Sequence, residues 1–279
     1  MNKLVTTTKD EKRVCLVLEM AQGVDLVALL RANMIINERF VKIIIAQASH
    51  IFINQNLRIE LIDLGLSEQI QDGSTSTPAG TYHSMSPEVA NLFSKTLQNQ
   101  EIIYPDDLVT LTSDLYSLGI LMYELLANKP PFDYLLKPNE KSQQEKVDYL
   151  NMISEGVTQE QIEKLKLTYN EKNNLELSEE CLDFIVKVLE KDPRKRLGNN
   201  KQFQDIWNHK YLSGNIIEGM TLRELAETLV KDKEYKVDQL LKQEFDDIID
   251  LIELIGEYQD LDSIDNNLDD QQNDPFKDF

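Results

Sequence analysis

The ten residues 118–127, LGILMYELLA, constrain this chain more than any other stretch. The run is too short to span a bilayer and carries Glu124 within it. A helix apolar on nearly every side is stable only when enclosed, so the run predicts a fully buried helix. A chain of 279 residues allows one large domain or two modest ones around such a core. Its 41% hydrophobic and 28% charged residues are ordinary for a globular protein.

Charge narrows the choice of partners. Thirteen Asp and Glu stand against Lys277 alone in residues 244–279, so this tail supplies −12 of the net −20 and the remainder is only mildly acidic. No basic patch is present to neutralise phosphates, which argues against nucleic acid and against an anionic membrane surface. The first residues, MNKLVTTT, lack the apolar core of a signal peptide. Cys15 and Cys181 are far apart and lack metal-ligand spacing, which fits two free thiols in a reducing, cytoplasmic setting.

Strand patterns come first and helical patterns later, an order that predicts an α+β chain. KLVTTT and VCLVLEM flank the charged turn KDEKR as one hairpin; HIFIN and RIELID form a second. Asp25 is placed to cap a helix through LVALLRAN. Asn37 caps another that runs to Gln47, with Phe40, Val41, Ile44 and Ile45 on its apolar face. Residues 66–86 are rich in Ser, Thr, Gly and Pro and read as a loop. Helices are expected around 87–95, 111–126, 141–154, 159–165, 178–190 and 201–212, with SKTLQNQEIIYPDD and KPNEKSQQEK as surface insertions. Beyond Ser213, an amphipathic stretch with Phe245, Ile248, Ile249, Ile252 and Ile255 gives way to QDLDSIDNNLDDQQND. That last segment has too few large apolar residues to fold alone.

Five short stretches, taken in order, resemble the eukaryotic Ser/Thr protein kinases. LIDLGLSE carries Asp63-Leu64-Gly65 after a strand, similar to the family's metal-binding Asp-Phe-Gly with Leu for Phe. AGTYHSMSPE is similar to the end of the activation segment, with Ser86-Pro87-Glu88 for Ala-Pro-Glu. SDLYSLGILMYELLANKPPF resembles the start of the buried central helix and its Pro-Pro-Phe exit. KDPRKRLG and IWNHKYL resemble the helices that close the lobe, in the manner of the AGC group, to which the cyclic-AMP-dependent kinase belongs. The resemblance covers roughly residues 4–212 and implies a protein-kinase-like α+β fold. An N-lobe remnant and hinge would occupy 1–20, a helical C-lobe 21–213, and a helical then acidic, partly disordered tail 214–279.

The resemblance also implies roles. Leu18 would hold the gatekeeper position, Glu19 and Ala21 would offer backbone groups to adenine, and Asp25 would reach the ribose, a role compatible with capping its helix. Asp63 is either a Mg²⁺ ligand or a solvated acid at a strand end. Thr77, three residues before Gly80, matches the activating phosphosite, and Thr81 matches the substrate-loop threonine. Glu88 and Arg196 match a buried ion pair, which persists or fails as a unit because stranding either charge costs several kcal/mol. Asp114 matches the acid that caps the central helix. Phe276 and Phe279 in DPFKDF resemble the hydrophobic motif with which AGC tails dock on their own N-lobe.

Departures from the pattern weigh as much. G-x-G-x-x-G occurs nowhere, and no strand Lys precedes the hinge. Between FVKIIIAQ and HIFIN the family keeps the rest of a helix and the His-Arg-Asp catalytic loop; here only Ala48 and Ser49 intervene. His50 stands in the place of the metal-binding Asn and is expected to be structural, since Mg²⁺ prefers oxygen ligands. No catalytic residue is assigned, because the Asp that accepts the substrate proton is absent. ATP and Mg²⁺ are the cofactors the resemblance implies, and a protein substrate or partner kinase is the implied partner. The expectation is a pseudokinase acting as an interaction module. The alternatives are an active Ser/Thr kinase whose coding sequence has lost its N-lobe and catalytic loop, and a degenerate paralogue without function.

Overall fold

The computed structural model describes residues 4–9, 14–18, 24–26, 30, 36–47, 52–53, 59–60, 74–75, 77–101, 109–132, 141–199, 204–213, 215–217, 220–221 and 224. These fall into two compact units. One comprises Met1–Met34, His50–Ile62 and Lys231–Phe279; the other comprises Ile35–Ser49 and Asp63–Val230.

The first unit carries both hairpins expected from sequence alternation. Strands β1 (Leu4–Lys9) and β2 (Val14–Leu18) pair antiparallel, with Thr7 opposite Leu16 and Thr8 opposite Cys15. A second sheet has the order β3 (Val24–Asp25), β4 (Phe52–Ile53), β5 (Ile59–Glu60), again antiparallel throughout. Leu4, Val5, Val14, Leu16 and Val17 of the first hairpin are exposed, so this hairpin encloses no core of its own.

The second unit is helical and is built around the constraining run. Helix α1 (Glu38–Gln47) is followed by β6 (Ser74–Thr75), a 3-10 turn (Tyr82–Ser84), α2 (Pro87–Leu97) and β7 (Val109–Thr110). Then come α3 (Leu111–Ala127), α4 (Gln143–Ser154), α5 (Gln159–Asn173), α6 (Glu179–Val188), α7 (Gln204–Trp207) and α8 (Lys210–Ser213). Two small antiparallel pairs complete it, β6 with β7 and β8 (Asn215–Ile217) with β9 (Met220–Thr221).

Helix α3 lies at the centre, packed against α1, α5 and α6. It buries Tyr116, Ile120, Met122, Tyr123, Leu125 and Leu126, while Leu118 and Leu121 remain half-buried, so the enclosure is nearly complete rather than total. Gly119 permits the closest approach: a Cβ there would lie 2.8 Å from both Leu189 Cδ2 and Val188 Cγ2. The helix stops at Asn128, whose φ of 58° is the left-handed conformation that Asn tolerates.

Helix α1 starts as its sequence predicts, since Asn37 Oδ1 accepts from the Phe40 amide at 2.9 Å. Its Phe40, Val41, Ile43, Ile44 and Ile45 are buried. Its first residue ties it to the far end of the unit. The Glu38 carboxylate accepts from Ser178 Oγ at 2.6 Å and from the Ser178 amide at 3.1 Å, and the Glu38 amide donates to Tyr169 Oη at 3.1 Å.

Several boundaries differ from expectation, each for a tertiary reason. Residues 94–97, expected in a surface insertion, continue α2, because Ser94 is buried and donates to Asn151 Oδ1 of α4 at 2.7 Å. Residues 143–146 likewise belong to α4, which Ser142 and Glu145 start by a reciprocal cap. Helix α5 runs eight residues past Leu165, carried by buried Tyr169 on the same stripe as Ile162 and Leu165. The helix expected over 201–212 is two short ones. His209 stands between them, accepting from the Tyr211 amide through Nδ1 at 3.2 Å, with Nε2 2.9 Å from Asp183 Oδ2. Residues 66–86, read as a loop, contain β6 and the 3-10 turn.

Candidate functional site

The best-defined polar architecture lies where the segment 77–88 enters α2 and meets the N-terminal half of α3. Gly80, at φ 125°, turns the chain in a conformation open to glycine. The 3-10 turn then closes, with the Ser84 amide and hydroxyl both donating to Thr81 O, at 3.1 and 3.0 Å. Ser117 Oγ of α3 donates to Ser84 O at 2.7 Å, and Tyr82 stacks on Phe93 of α2 with centroids 5.5 Å apart and rings 7° from parallel. Met85 and Ser86 are buried. A loop-like sequence is therefore held at its end by a helix hydroxyl, a ring stack and two buried residues.

Pro87 opens α2 at the position where a missing amide proton does no harm. The next residue, Glu88, forms a two-pronged pair with Arg196: Nη1 to Oε1 at 2.7 Å and Nη2 to Oε2 at 2.9 Å. Arg196 is 1% exposed, and its remaining donors meet carbonyl oxygens of Thr112, Glu190 and Lys191 at 3.0, 2.9 and 3.3 Å. Ser113 Oγ donates to Glu88 Oε1 at 2.7 Å, and the Tyr116 ring lies 4.9 Å from the guanidinium carbon. Burial alone would raise the Glu88 carboxyl. The hydrogen bonds and charge of Arg196, with help from Ser113, outweigh it and hold the acid below its ordinary value. Burial lowers the half-buried His83 imidazole and raises the Tyr82 phenol.

The residues singled out in the sequence distribute as follows. Thr77 and Thr81 are exposed on the segment itself. Glu88 and Arg196 meet as described, 108 positions apart in the chain. Asp114 is exposed in the first turn of α3, but Thr110 holds the cap position, so Asp114 complements the helix dipole from inside the helix. Leu18 ends β2, and Asp25 ends β3 opposite Phe52, directly before buried, helical Leu26. Glu19, Ala21, Asp63, Phe276 and Phe279 lie outside the described residues. Among the described residues no cluster of three or more His, Cys, Asp or Glu is placed to hold a metal ion, and no helix is long and apolar enough to cross a membrane.

Sequence reasoning missed Ser113, Tyr116 and Ser117. Their spacing of i, i+3 and i+4 puts them on one face of α3, and that face is where the segment and the ion pair sit. The periodicity was visible; what it faced was not. That face holds the end of the segment through Ser117 and the ion pair through Ser113.

Comparison with known proteins gives a consistent result. The protein kinase domain profile matches residues 48–212, more than half of the chain. The human cGMP-dependent protein kinase 2 is 27% identical over 257 residues, covering 85% of this chain and 29% of that protein. The serine/threonine-protein kinase MPS1 of Encephalitozoon cuniculi is 27% identical over 198 residues, covering 70% of this chain and 27% of its own length. A probable serine/threonine-protein kinase of Dictyostelium discoideum, fhkE, is 32% identical over 178 residues, or 62% of this chain and 21% of that one. The chain thus spans between a fifth and a third of the length of these relatives.

Proposed function

This chain belongs to the protein kinase domain family, and from that premise we propose that it is an AGC-like member that transfers no phosphate and works as a pseudokinase, binding a protein through its helical unit. One observation carries the proposal. Helix α1 ends at Gln47 and β4 begins at Phe52, which leaves four residues where the family places its catalytic loop. Phosphoryl transfer depends on positioning and charge neutralisation, with an Asp to orient the hydroxyl and metal ions to bridge the phosphates. The base and the second metal-binding residue have no room in four residues. Of the expected metal set only Asp63 remains in the sequence, so the residues present do not fit a complete ATP–Mg²⁺ site, and no chemical step is derived through one.

The interaction role is supported by what is retained. The Glu88–Arg196 pair, with its ring and hydroxyl neighbours, keeps the segment end in one place. Leu18, Glu19, Ala21 and Asp25 remain a proposed adenine and ribose contact set, Thr77 and Thr81 proposed regulatory positions, and Phe276 with Phe279 a proposed docking motif. The domain limits 1–20, 21–213 and 214–279, and a cytoplasmic location, belong to the same proposal. Likeness to the cGMP-dependent kinase at 27% identity supports the AGC placement.

A second reading is favoured by the abruptness of the internal gap. Family-like residues stand directly on both sides of Ala48 and Ser49, which suits loss of a segment from the coding sequence of an active kinase. Sequencing the transcript across the codons for Gln47 to His50 distinguishes the two. A transcript that reads straight through excludes the second reading. Mg-ATP-dependent phosphorylation of any protein by the purified chain, abolished by Asp63→Ala, would refute the first.

A further inference from the structure

Leu118 belongs to the run expected to be fully enclosed, yet it is only half-buried, and it lines a cavity of about 40 Å³. The cavity lies within the helical unit. Its walls include Ile45 of α1, Leu118 and Gly119 of α3, Phe184 of α6, Trp207 of α7 and Leu212 of α8. By the volume one water needs, it has room for about three. The Trp207 indole nitrogen is, however, the one polar side-chain atom in the lining, and a buried water needs two to four polar partners. We infer that this cavity is a binding site for a compact, uncharged aliphatic group of about four carbons, such as an isobutyl group.

Gaps of this kind usually shrink because the walls relax inward. Here the walls are braced from behind. His209, at the junction of α7 and α8, has Nε2 2.9 Å from Asp183 Oδ2, while its Nδ1 accepts from the Tyr211 amide at 3.2 Å. Phe184 is held edge-on by the His209 ring and tilted by the Tyr211 ring, each 5.2 Å away between centroids. Gly119 has already brought α3 and the end of α6 together, since a Cβ there would lie 2.8 Å from Val188 Cγ2. The brace therefore keeps the space while the lining decides what enters. A charged or strongly hydrogen-bonding group would lose its water without gaining partners. A long chain exceeds the volume. An occupant touches five helices of the unit, and one that binds only the folded form stabilises it by mass action. Neither Glu88 nor Arg196 lines the cavity, and the site does not depend on whether the chain transfers phosphate.

The test labels the Ile and Leu methyl groups of the purified full chain with carbon-13 and titrates it with 2-methylpropane. A parallel titration uses N-acetyl-leucine-N-methylamide, which carries the same branched group on a peptide backbone. Saturable shifts of the Ile45, Leu118 and Leu212 methyl resonances, with a concentration-dependent rise in Tm, are expected for the hydrocarbon. Matching shifts with the leucine derivative identify a peptide side chain as a source of the group; shifts with the hydrocarbon alone identify a free small molecule. Leu118→Phe, which fills the space, should weaken 2-methylpropane binding by about tenfold or more. Where that variant fails to fold, Leu118→Ala decides, because its enlarged cavity should take benzene about tenfold more tightly than the parent does. No saturable shift with 2-methylpropane, which would mean a packing gap only, overturns the inference. So does undiminished binding in Leu118→Phe, benzene bound no better by Leu118→Ala, or tighter binding of dodecanoate than of 2-methylpropane.

Discussion

Replacing Arg196 by Met removes five hydrogen bonds at once and leaves the Glu88 carboxylate, 7% exposed, with the Ser113 hydroxyl and its own backbone amide as donors. Breaking a buried pair from one side costs about 3–5 kcal/mol, because the surviving charge is uncompensated. Three carbonyl oxygens lose their partner as well, which places Arg196→Met near the top of that range. For a unit of this size the loss corresponds to a fall in Tm of roughly 10–20 °C. Glu88→Gln keeps the shape and removes the charge, and should cost about 2–4 kcal/mol by the same reasoning. The double variant removes both charges together, so its cost should fall short of the sum by about 2–3 kcal/mol. Acid dependence supplies a second readout. Glu88 is held below its ordinary value of 4.5 in the folded chain, so the unfolded chain takes up this proton first as pH falls. The stability it contributes is complete above the unfolded value and is lost as pH drops through the lowered folded value. Urea unfolding of the full chain at neutral pH and near pH 3.5 should show Glu88→Gln destabilised at the former and closer to the parent at the latter. Single-variant costs that simply add, within about 0.5 kcal/mol, would refute the reasoning.

Other expectations follow from single positions. Ser is normally a favourable helix cap, yet Ser86 Oγ is buried with no hydrogen-bond partner among the described residues, so Ser86→Ala should leave Tm unchanged or raise stability by up to about 1 kcal/mol in a thermal melt. Gly119→Ala gains about 1 kcal/mol of helix propensity but drives a methyl against Leu189 and Val188, and a net loss of about 1–2 kcal/mol in urea unfolding is expected. Asn37→Ala removes the α1 cap and should cost about 1 kcal/mol by the same assay. The proposed adenine and ribose contacts require that millimolar nucleotide raise the Tm of the purified chain in a concentration-dependent way; no thermal shift would refute that contact set.

Local chemistry made much of this structure legible. Asn37 before an apolar stripe, alternation in the two front hairpins and the enclosed run at 118–127 each specify their element with little outside help. What stayed hidden depends on partners far along the chain. Nothing in SKTLQNQ announces that Ser94 would face Asn151, and nothing in IWNHKYL announces that Asp183 would hold His209 and split a helix. The ends of the clamp were readable as Glu88 and Arg196, because a charged pair recurs in a motif. Its lining by Ser113, Tyr116 and Ser117 was not, because a helix face states its members but not its neighbour.

The bond between Glu38 and Ser178 has a consequence for synthesis. The two residues are 140 positions apart, and α1 carries Phe40, Val41, Ile43, Ile44 and Ile45 behind that acid. A ribosome adding 5–20 residues per second makes Ser178 on the order of ten seconds after Glu38. For the first part of that interval, until α3 follows it, the FVKIIIA face has left the ribosome without the helix that packs on it. Slow codons between the two positions would lengthen the exposure, and a chaperone that holds apolar helices would meet this chain first at α1.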